Sequence, residues 1–526
     1  MDRRQFLAGT AAVAVAAPSI ARGQGARVIK FVPEADVVIY DPVLSPSWQT
    51  RDHAFLVYDT LFGVDNNFKA HPQMVEGVNV ENDGKQWKLT LRDGMKFHDG
   101  EKVLAKDAVA SVKRWAQRDA FGQALMSATD DLSATDDRTM QFRLKRPFPL
   151  LPEALAKPNA SMCPIMPERL ASTDANKAVT DTTGSGPFKY VPGERVAGSR
   201  IVYERFADYV PRKDGPQQFT AGPKVANLDR VEWQIINDQA TAAAALERGE
   251  IDWLQTPLTD LIPRLRQNKD LVVKTITPNG LIAYLRFNHL HPPFNNPGVR
   301  RAILGAITQS DYMIALNGPD KTLWHDNVGY FCPDTPLASN AGMDKLMGKR
   351  DYAKVKKDLE AAGYKGEKVA LMVAVNISYL KIMGEVTADV FKKIGLNVDY
   401  QAVDWSTVSQ RRAKMEPPDQ GGWSAFAIYD NGSSQVNPAS HSWLRGNGKS
   451  ASFGWPESPK IEELRSAWFA ANDLDEQKKI CTAIQLQAFE DVPYIPLGQS
   501  IPFTGFRKNI TGVLEGQPVF WNIKKA

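Results

Sequence analysis

Most of the reactive residues in this chain sit in patterns that fail a specific motif. GNGKS at 446–450 carries the tail of a phosphate-binding loop. The glycine such a loop needs five positions before Gly448 is instead Trp443. GSGPFK at 184–189 breaks the dinucleotide fingerprint at Lys189 and reads as a tight turn. His289 and His291 lie two apart before Pro292-Pro293, with no HExxH helix, and read as a solvated loop. There is no GxSxG elbow and no cysteine close to a histidine. The only cysteines, Cys163, Cys332 and Cys481, have spacings that exclude a CxxC redox or zinc motif. Their odd number leaves at least one thiol unpaired, and one disulfide could form among them in any pairing. Carboxylates are plentiful, so a scattered glycosidase-type pair has neither support nor exclusion. No catalytic residue, metal ligand or cofactor is assigned from these patterns.

A different kind of site follows from the elements that would carry it. KVALMVAV at 368–375 alternates as a strand. Residues 378–394 place Met383, Val386, Val390, Phe391 and Ile394 on one helical face, and Gly395 ends that helix. NVDYQAVDW at 397–405 is the next strand. Strand, long helix and strand make a crossover that demands parallel pairing. SAFAIYD at 424–430 reads as a further strand. Ligands collect beyond the carboxyl ends of such strands. Those ends are Asn376, Asp404-Trp405 and Asp430. Trp405 and Trp423 are aromatics near strand ends that could stack on the apolar body of a ligand. Elsewhere, QWKLTL and TMQFRL alternate as half-buried strands around a helix over 106–117, so 60–183 reads as α+β. LIAYLRFNH from Leu281 alternates too, with Tyr284, Arg286 and Asn288 on one side. The helix that follows is capped by Asn295 or Asn296 and has Pro297 in its first turn.

The chain of 526 residues carries a net charge of +4, with 43% hydrophobic and 24% charged residues. This is ordinary for a globular protein and too weakly charged for one whose main partner is a polyanion. No apolar run reaches the ~20 residues of a membrane span. Residues 1–25, MDRRQFLAGTAAVAVAAPSIARGQG, have a twin-arginine head, a short alanine-rich core and Pro18, and RRQFLAG resembles a twin-arginine export signal. Cleavage after Ala21 or Gly25 fits the small residues there. Removing all 25 lowers the net charge to +2. No cysteine adjoins the signal, so a soluble periplasmic protein without a lipid anchor is expected.

Several segments together resemble the family 5 extracellular solute-binding proteins, the peptide- and nickel-type receptors of ABC importers. They are YDTLFGVD (58–65), LRDGMKFHDGEKVLAKDAVASVKRW (91–115), GSGPFKY (184–190), RFNHLHPPFNNPGVRRAILGAI (286–307), AAGY followed by KKIGLNVDYQAVDW (361–405), EDVPYIPLG (490–498) and NITGV (509–513). Leu104 stands where the family pattern has a capping threonine. The resemblance implies an α/β, two-lobed periplasmic-binding-protein fold of type II with a two-segment hinge. Lobe one would span 26–284 and 495–526, with an extra α+β subdomain at 70–183. Lobe two would span 285–494 with the hinge segments. It implies ligand capture by lobe closure, delivery to a membrane permease with cytoplasmic ATPases, a monomer, and no nucleic-acid partner. In the dipeptide receptors an aspartate after a lobe-two strand pairs with the peptide amine, and IYDNG places Asp430 there. Their arginine for the peptide carboxylate has no counterpart in NISYLK (376–381), where Asn376 or Tyr379 offers neutral hydrogen bonds. The expected ligand-contacting set is Asp430, Trp423, Trp405, Tyr284, Asn376, Tyr379 and Tyr40. The ligand is expected to be a peptide or another amphiphilic solute. A secreted hydrolase on a similar scaffold, or a receptor for an opine, glycoside or metal chelate, are the alternatives.

Overall fold

The computed structural model describes residues 27–159, 161–347, 350–471 and 473–526, so the export segment lies outside the described residues. Two large mixed sheets organise the chain. The first has seven strands, with Val28–Val32 at its centre pairing in parallel with Arg230–Gln234 on one side and Trp253–Leu254 on the other. The second has six strands. Leu281–Phe287 pairs antiparallel with both Ala425–Asn431 and Tyr494–Ser500. Lys368–Ala374 pairs in parallel with Asn397–Val403 and with Ala425–Asn431. This is the parallel crossover expected from the sequence. Its helix, Ser378–Lys393, turns Met383, Val390 and Phe391 inward and stops before Gly395, whose φ of +83° suits glycine.

The lobe boundaries differ from expectation. The chain leaves the first sheet after Lys274 and joins the second at Leu281, then returns between Ser500 and Thr504. The crossings are therefore 275–280 and 501–503, and Tyr284 and Arg286 lie inside the second sheet. The reason is the pairing itself: the alternating run from Leu281 is bonded along its whole length to lobe-two strands.

A third sheet, Val75–Glu81, Gln86–Leu91, Thr139–Leu144 and Thr129–Ala134, lies within the 70–183 segment. The helix Ala105–Trp115 packs against it. Leu104 offers no side-chain cap, and Asp107 compensates by accepting the Leu104 N–H at 2.8 Å. From that helix Arg114 donates both Nη atoms to Asp41 of lobe one, at 3.1 and 2.7 Å, with both side chains fully buried. A bidentate buried pair of this kind ties the subdomain to lobe one.

The subdomain also reaches lobe two. Phe121 and Phe148 meet Phe469 of the helix Pro459–Ala470, at ring-centroid distances of 5.7 and 6.0 Å. Asn159 and Ser433 exchange hydrogen bonds of 2.8 and 2.7 Å. These contacts join the subdomain to lobe two. Two aromatic pairs contribute about 1–3 kcal/mol together. Phe469→Ala is therefore expected to weaken ligand affinity by about 5- to 160-fold through a shift towards the open form. Small-angle scattering checks this: the unliganded variant should have a larger radius of gyration than the wild type.

The three cysteines are buried free thiols, so none of the possible disulfides forms. His289 and His291 take separate backbone carbonyls, of Pro493 at 3.3 Å and Met415 at 2.7 Å.

Candidate functional site

The lobe-one side of the cleft is built at the carboxyl ends of two neighbouring parallel strands. Glu34 follows Val28–Val32, and Gln255 follows Trp253–Leu254. Gln255 Oε1 accepts the Glu34 backbone N–H at 3.0 Å, and its Nε2 reaches Asp52 Oδ2 at 3.4 Å. Asp52 and Arg51 belong to the helix Trp48–Val57, which Ser47 caps by accepting the Thr50 N–H at 3.2 Å. Arg51 Nε and Nη2 donate to Asp52 Oδ1 at 2.9 and 2.7 Å, and both side chains are buried.

Lobe two contributes the end of Ala425–Asn431. Asp430 Oδ1 accepts the Asn431 N–H at 2.7 Å, and Oδ2 accepts the Trp443 indole N–H at 3.1 Å. These donors and the Ser434 side chain, which also bonds Asp430, are neutral, and the cation whose field reaches Asp430 is Arg51 across the cleft. Burial outweighs these interactions and pushes the Asp430 carboxyl up to about 6. Glu34 is pushed up to about 7, first by burial and then by Asp52, against a hydrogen bond from Tyr429 and the charge of Arg51. The Tyr429 ring lies 5.8 Å from Trp48 of lobe one and 5.5 Å from Tyr379 of lobe two. Between the lobes remains a cavity of ≈ 40 Å³. Glu34, Trp48, Arg51 and Gln517 line it from lobe one, Thr277 and Phe503 from the crossings, and Leu281 and Asn431 from lobe two.

The seven residues expected from the sequence do not converge. Tyr379 packs on Tyr429, whose ring reaches Trp48 of the cavity wall, while Asp430, one residue on, turns to Trp443. Asn376 and Trp405 stand together further along the sheet, with Asn376 Oδ1 accepting the Trp405 N–H at 2.8 Å and the Arg412 guanidinium 5.1 Å from the Trp405 ring. Tyr284 is wholly buried under the site, against Trp443 and Tyr494 at 5.2 and 5.0 Å. Trp423 is also wholly buried, packed on Phe426 and Trp455 at the opposite end of the strand that bears Asp430. It is a core residue because it precedes that strand instead of following it. Tyr40 stacks on Tyr190 at 4.8 Å and accepts from Arg195 at 2.7 Å, within a lobe-one cluster that also holds His53.

Residues 69–447 match the family model for the bacterial extracellular solute-binding proteins, family 5, over its middle region. The chain belongs to this family. As a family 5 solute-binding protein of an ABC importer, it is 36% identical to the probable peptide ABC transporter periplasmic-binding protein y4tO of Sinorhizobium fredii (strain NBRC 101917 / NGR234). That alignment spans 100% of this chain and 99% of the relative. Its fold matches the dipeptide binding protein from Pseudoalteromonas sp. SM9913 in complex with Met-Leu. The TM-score is 0.78 and the identity 21%, covering 95% of this chain and 100% of that one. It also matches the agropinic acid complex of the binding protein AgaA from A. tumefacien R10. There the TM-score is 0.77 and the identity 21%, over 95% and 99% of the two chains. Each of these relatives is a binding protein. Among the described residues no helix is long and apolar enough to cross a membrane.

Glu34, Trp48, Arg51, Tyr429, Trp443 and Gln517 escaped the sequence reading. For Glu34 a usable signal existed. The carboxyl-end rule, applied to a strand at 28–32, points directly at residues 33–36. For Gln517, far along the chain in a segment without regular structure, the sequence offers no such signal.

Proposed function

We propose that this chain is a periplasmic receptor, exported by the twin-arginine route, which captures a short peptide or peptide-like solute by its amine and delivers it to an ABC permease. It works as a monomer. The observation that carries this reading is Asp430: a carboxylate at a lobe-two strand end, held only by neutral donors, beside a cavity walled by both lobes. A ligand ammonium supplies the partner charge that the protein withholds. Lobe closure then follows from differential affinity, since the bound ligand touches Asp430 on one lobe and the Trp48 side of the other. The 36% identity to a probable peptide-transporter binding protein favours the peptide class.

Isothermal titration with the dipeptide Ala-Phe, followed by mass spectrometry of the mixture, tests the reading. One-to-one binding with intact Ala-Phe supports it. Release of alanine and phenylalanine overturns it in favour of a hydrolase. Failure of Ala-Phe and longer peptides to bind, with tight binding of agropinic acid, overturns it in favour of an opine receptor.

A further inference from the structure

Three residues that line the cavity between the lobes carry polar atoms the protein leaves unused. On lobe one, Arg51 is 4% exposed and spends Nε and Nη2 on Asp52 Oδ1. Its Nη1 keeps accessible surface and donates to nothing among the described residues. On lobe two, Asn431 is 6% exposed. Its Oδ1 accepts the Ser433 N–H at 3.1 Å, which fixes the orientation of the amide. Nδ2 is thereby turned away from Ser433, again with accessible surface and no acceptor among the described residues. The third residue is Glu34, a partly exposed carboxylate in no ion pair among the described residues. Its carboxyl takes one side-chain hydrogen bond there, from the Tyr429 hydroxyl.

Each group is held by a partner that does not use it up. Asp52 orients the Arg51 fork, Ser433 clamps the Asn431 amide, and Gln255 Oε1 fixes Glu34 through its backbone N–H at 3.0 Å. The ≈ 40 Å³ hold about three water-sized groups. Thr277 and Phe503 wall the cavity on the side of the crossings, and Arg266 stacks on Phe503 at 4.4 Å. A space this small, closed at the back, suits the end of a ligand group.

Two donors and one carboxylate define what that end must be. An ammonium would pair with Glu34 and leave both donors unmet. A carboxylate would meet the donors and face Glu34. An apolar end would strand all three groups out of water. A primary carboxamide satisfies every one. Its oxygen has two lone pairs for Arg51 Nη1 and Asn431 Nδ2, and its NH2 donates to Glu34.

We propose that Glu34, Arg51 and Asn431 form a subsite for a terminal carboxamide, so that this receptor selects peptide-like solutes with a glutamine- or asparagine-type side chain. The assignment rests on the peptide reading above and specifies it at a part of the cleft separate from Asp430. Because the two donors belong to opposite lobes, one ligand oxygen bridges them and favours closure.

Calorimetric titration of the mature protein tests this with Ala-Gln, Ala-Met, Ala-Glu and Ala-Lys, each in both residue orders, taking the tighter order. The buffer is at about pH 8, above the value of about 7 to which burial and Asp52 push Glu34. The glutamine peptide binds at least about tenfold tighter than each of the others. Two variants then swap the recognition. Glu34→Gln puts donors where the carboxylate stood and moves the glutamine-to-glutamate affinity ratio at least about tenfold towards glutamate. Asn431→Asp keeps an oxygen for Ser433, replaces the donor by a negative charge, and moves the glutamine-to-lysine ratio at least about tenfold towards lysine. Purely structural roles would change all the affinities together and leave the ratios unmoved, and that result overturns the assignment. The wild-type ranking needs no variant: a methionine, glutamate or lysine peptide that binds as tightly as the glutamine one removes the assignment alone. If the wild type binds none of the peptides, the peptide reading falls and takes the assignment with it.

Discussion

Asp430→Asn is expected to lower the affinity for Ala-Phe by about 2–5 kcal/mol, roughly 30- to several-thousand-fold. Asparagine keeps the shape but only one acceptor oxygen, so either the Trp443 indole N–H or the Asn431 N–H loses its acceptor to an amide NH2. What is lost is the negative charge, in a cleft where it has only neutral donors of its own. The ligand ammonium would then be desolvated against a neutral amide, and a buried cation left without its counter-charge is the large part of such a penalty. Fold stability should change little, because relief of the buried charge offsets the one N–H left without an acceptor. Calorimetric titration beside a thermal melt separates the two: a variant that binds Ala-Phe as the wild type does would remove Asp430 from the amine site.

The pH dependence follows with its sign. Burial holds Asp430 at about 6 and Glu34 at about 7 in the closed cleft, both above their ordinary values. For a carboxyl raised in this way, the stability of the closed, empty form is fully present below about pH 4. It is lost as pH rises through 6 to 7. A bound ammonium has the opposite preference, because it needs the carboxylate ionised. Peptide affinity should therefore rise with pH, by about tenfold between pH 5 and pH 8 from Asp430 alone. Around Asp430 the relevant groups are Arg51, Tyr284 and Tyr494; around Glu34 they are Asp52, Arg51, Tyr429 and Tyr379. The tyrosines stay neutral throughout that range, since burial raises all of them. Asp430→Asn should flatten the profile, leaving the part that belongs to Glu34.

What the sequence disclosed and what it hid have physical reasons. Periodicity located the crossover unit to within two residues at each strand and helix end, because its helix has one buried stripe and its strands are flanked by turns. Parallel pairing then placed Asn376, Trp405 and Asp430 at one end of one sheet, and they are there. Proximity within that end depends on strand order. One strand, Lys368–Ala374, separates the strand before Trp405 from the strand that bears Asp430, an order that no local pattern encodes. Trp423 shows the limit for aromatics: its residue type is the same whether it faces a cleft or a core. The lobe-one wall was hidden because it joins residues 34, 51, 255 and 517, which only the first sheet and the returning chain bring together.

The last expectation concerns Arg286, which the alternating strand pattern places on the face it shares with Tyr284. It is wholly buried and donates to four backbone carbonyls: Phe453 at 2.6 Å, Pro493 at 2.9 Å, Trp443 at 3.0 Å and Ser452 at 3.1 Å. Its guanidinium also lies 5.4 Å from the Trp443 ring. Burial lowers it to about 10, so it remains charged at neutral pH. Arg286 thereby ties the 443–453 loop to the strand Leu281–Phe287, and Trp443 in that loop donates to Asp430. Arg286→Met would leave the Phe453 and Trp443 carbonyls without their donor, and would leave Pro493 with His289 and Ser452 with the Trp455 N–H alone. The expected loss is about 3–5 kcal/mol of lobe-two stability, a fall in Tm of roughly 6–20 °C at 2–4 °C per kcal/mol for a lobe of this size. Arg286→Lys should recover only part of it, because an ammonium cannot spread its donors over four carbonyls in a planar fork. A role in positioning Asp430 adds a second readout. In the lysine variant, at a temperature where it is folded, the pH midpoint of peptide binding should shift, because Trp443 no longer holds the carboxylate. A lower Tm with an unchanged midpoint would reduce Arg286 to a structural tie.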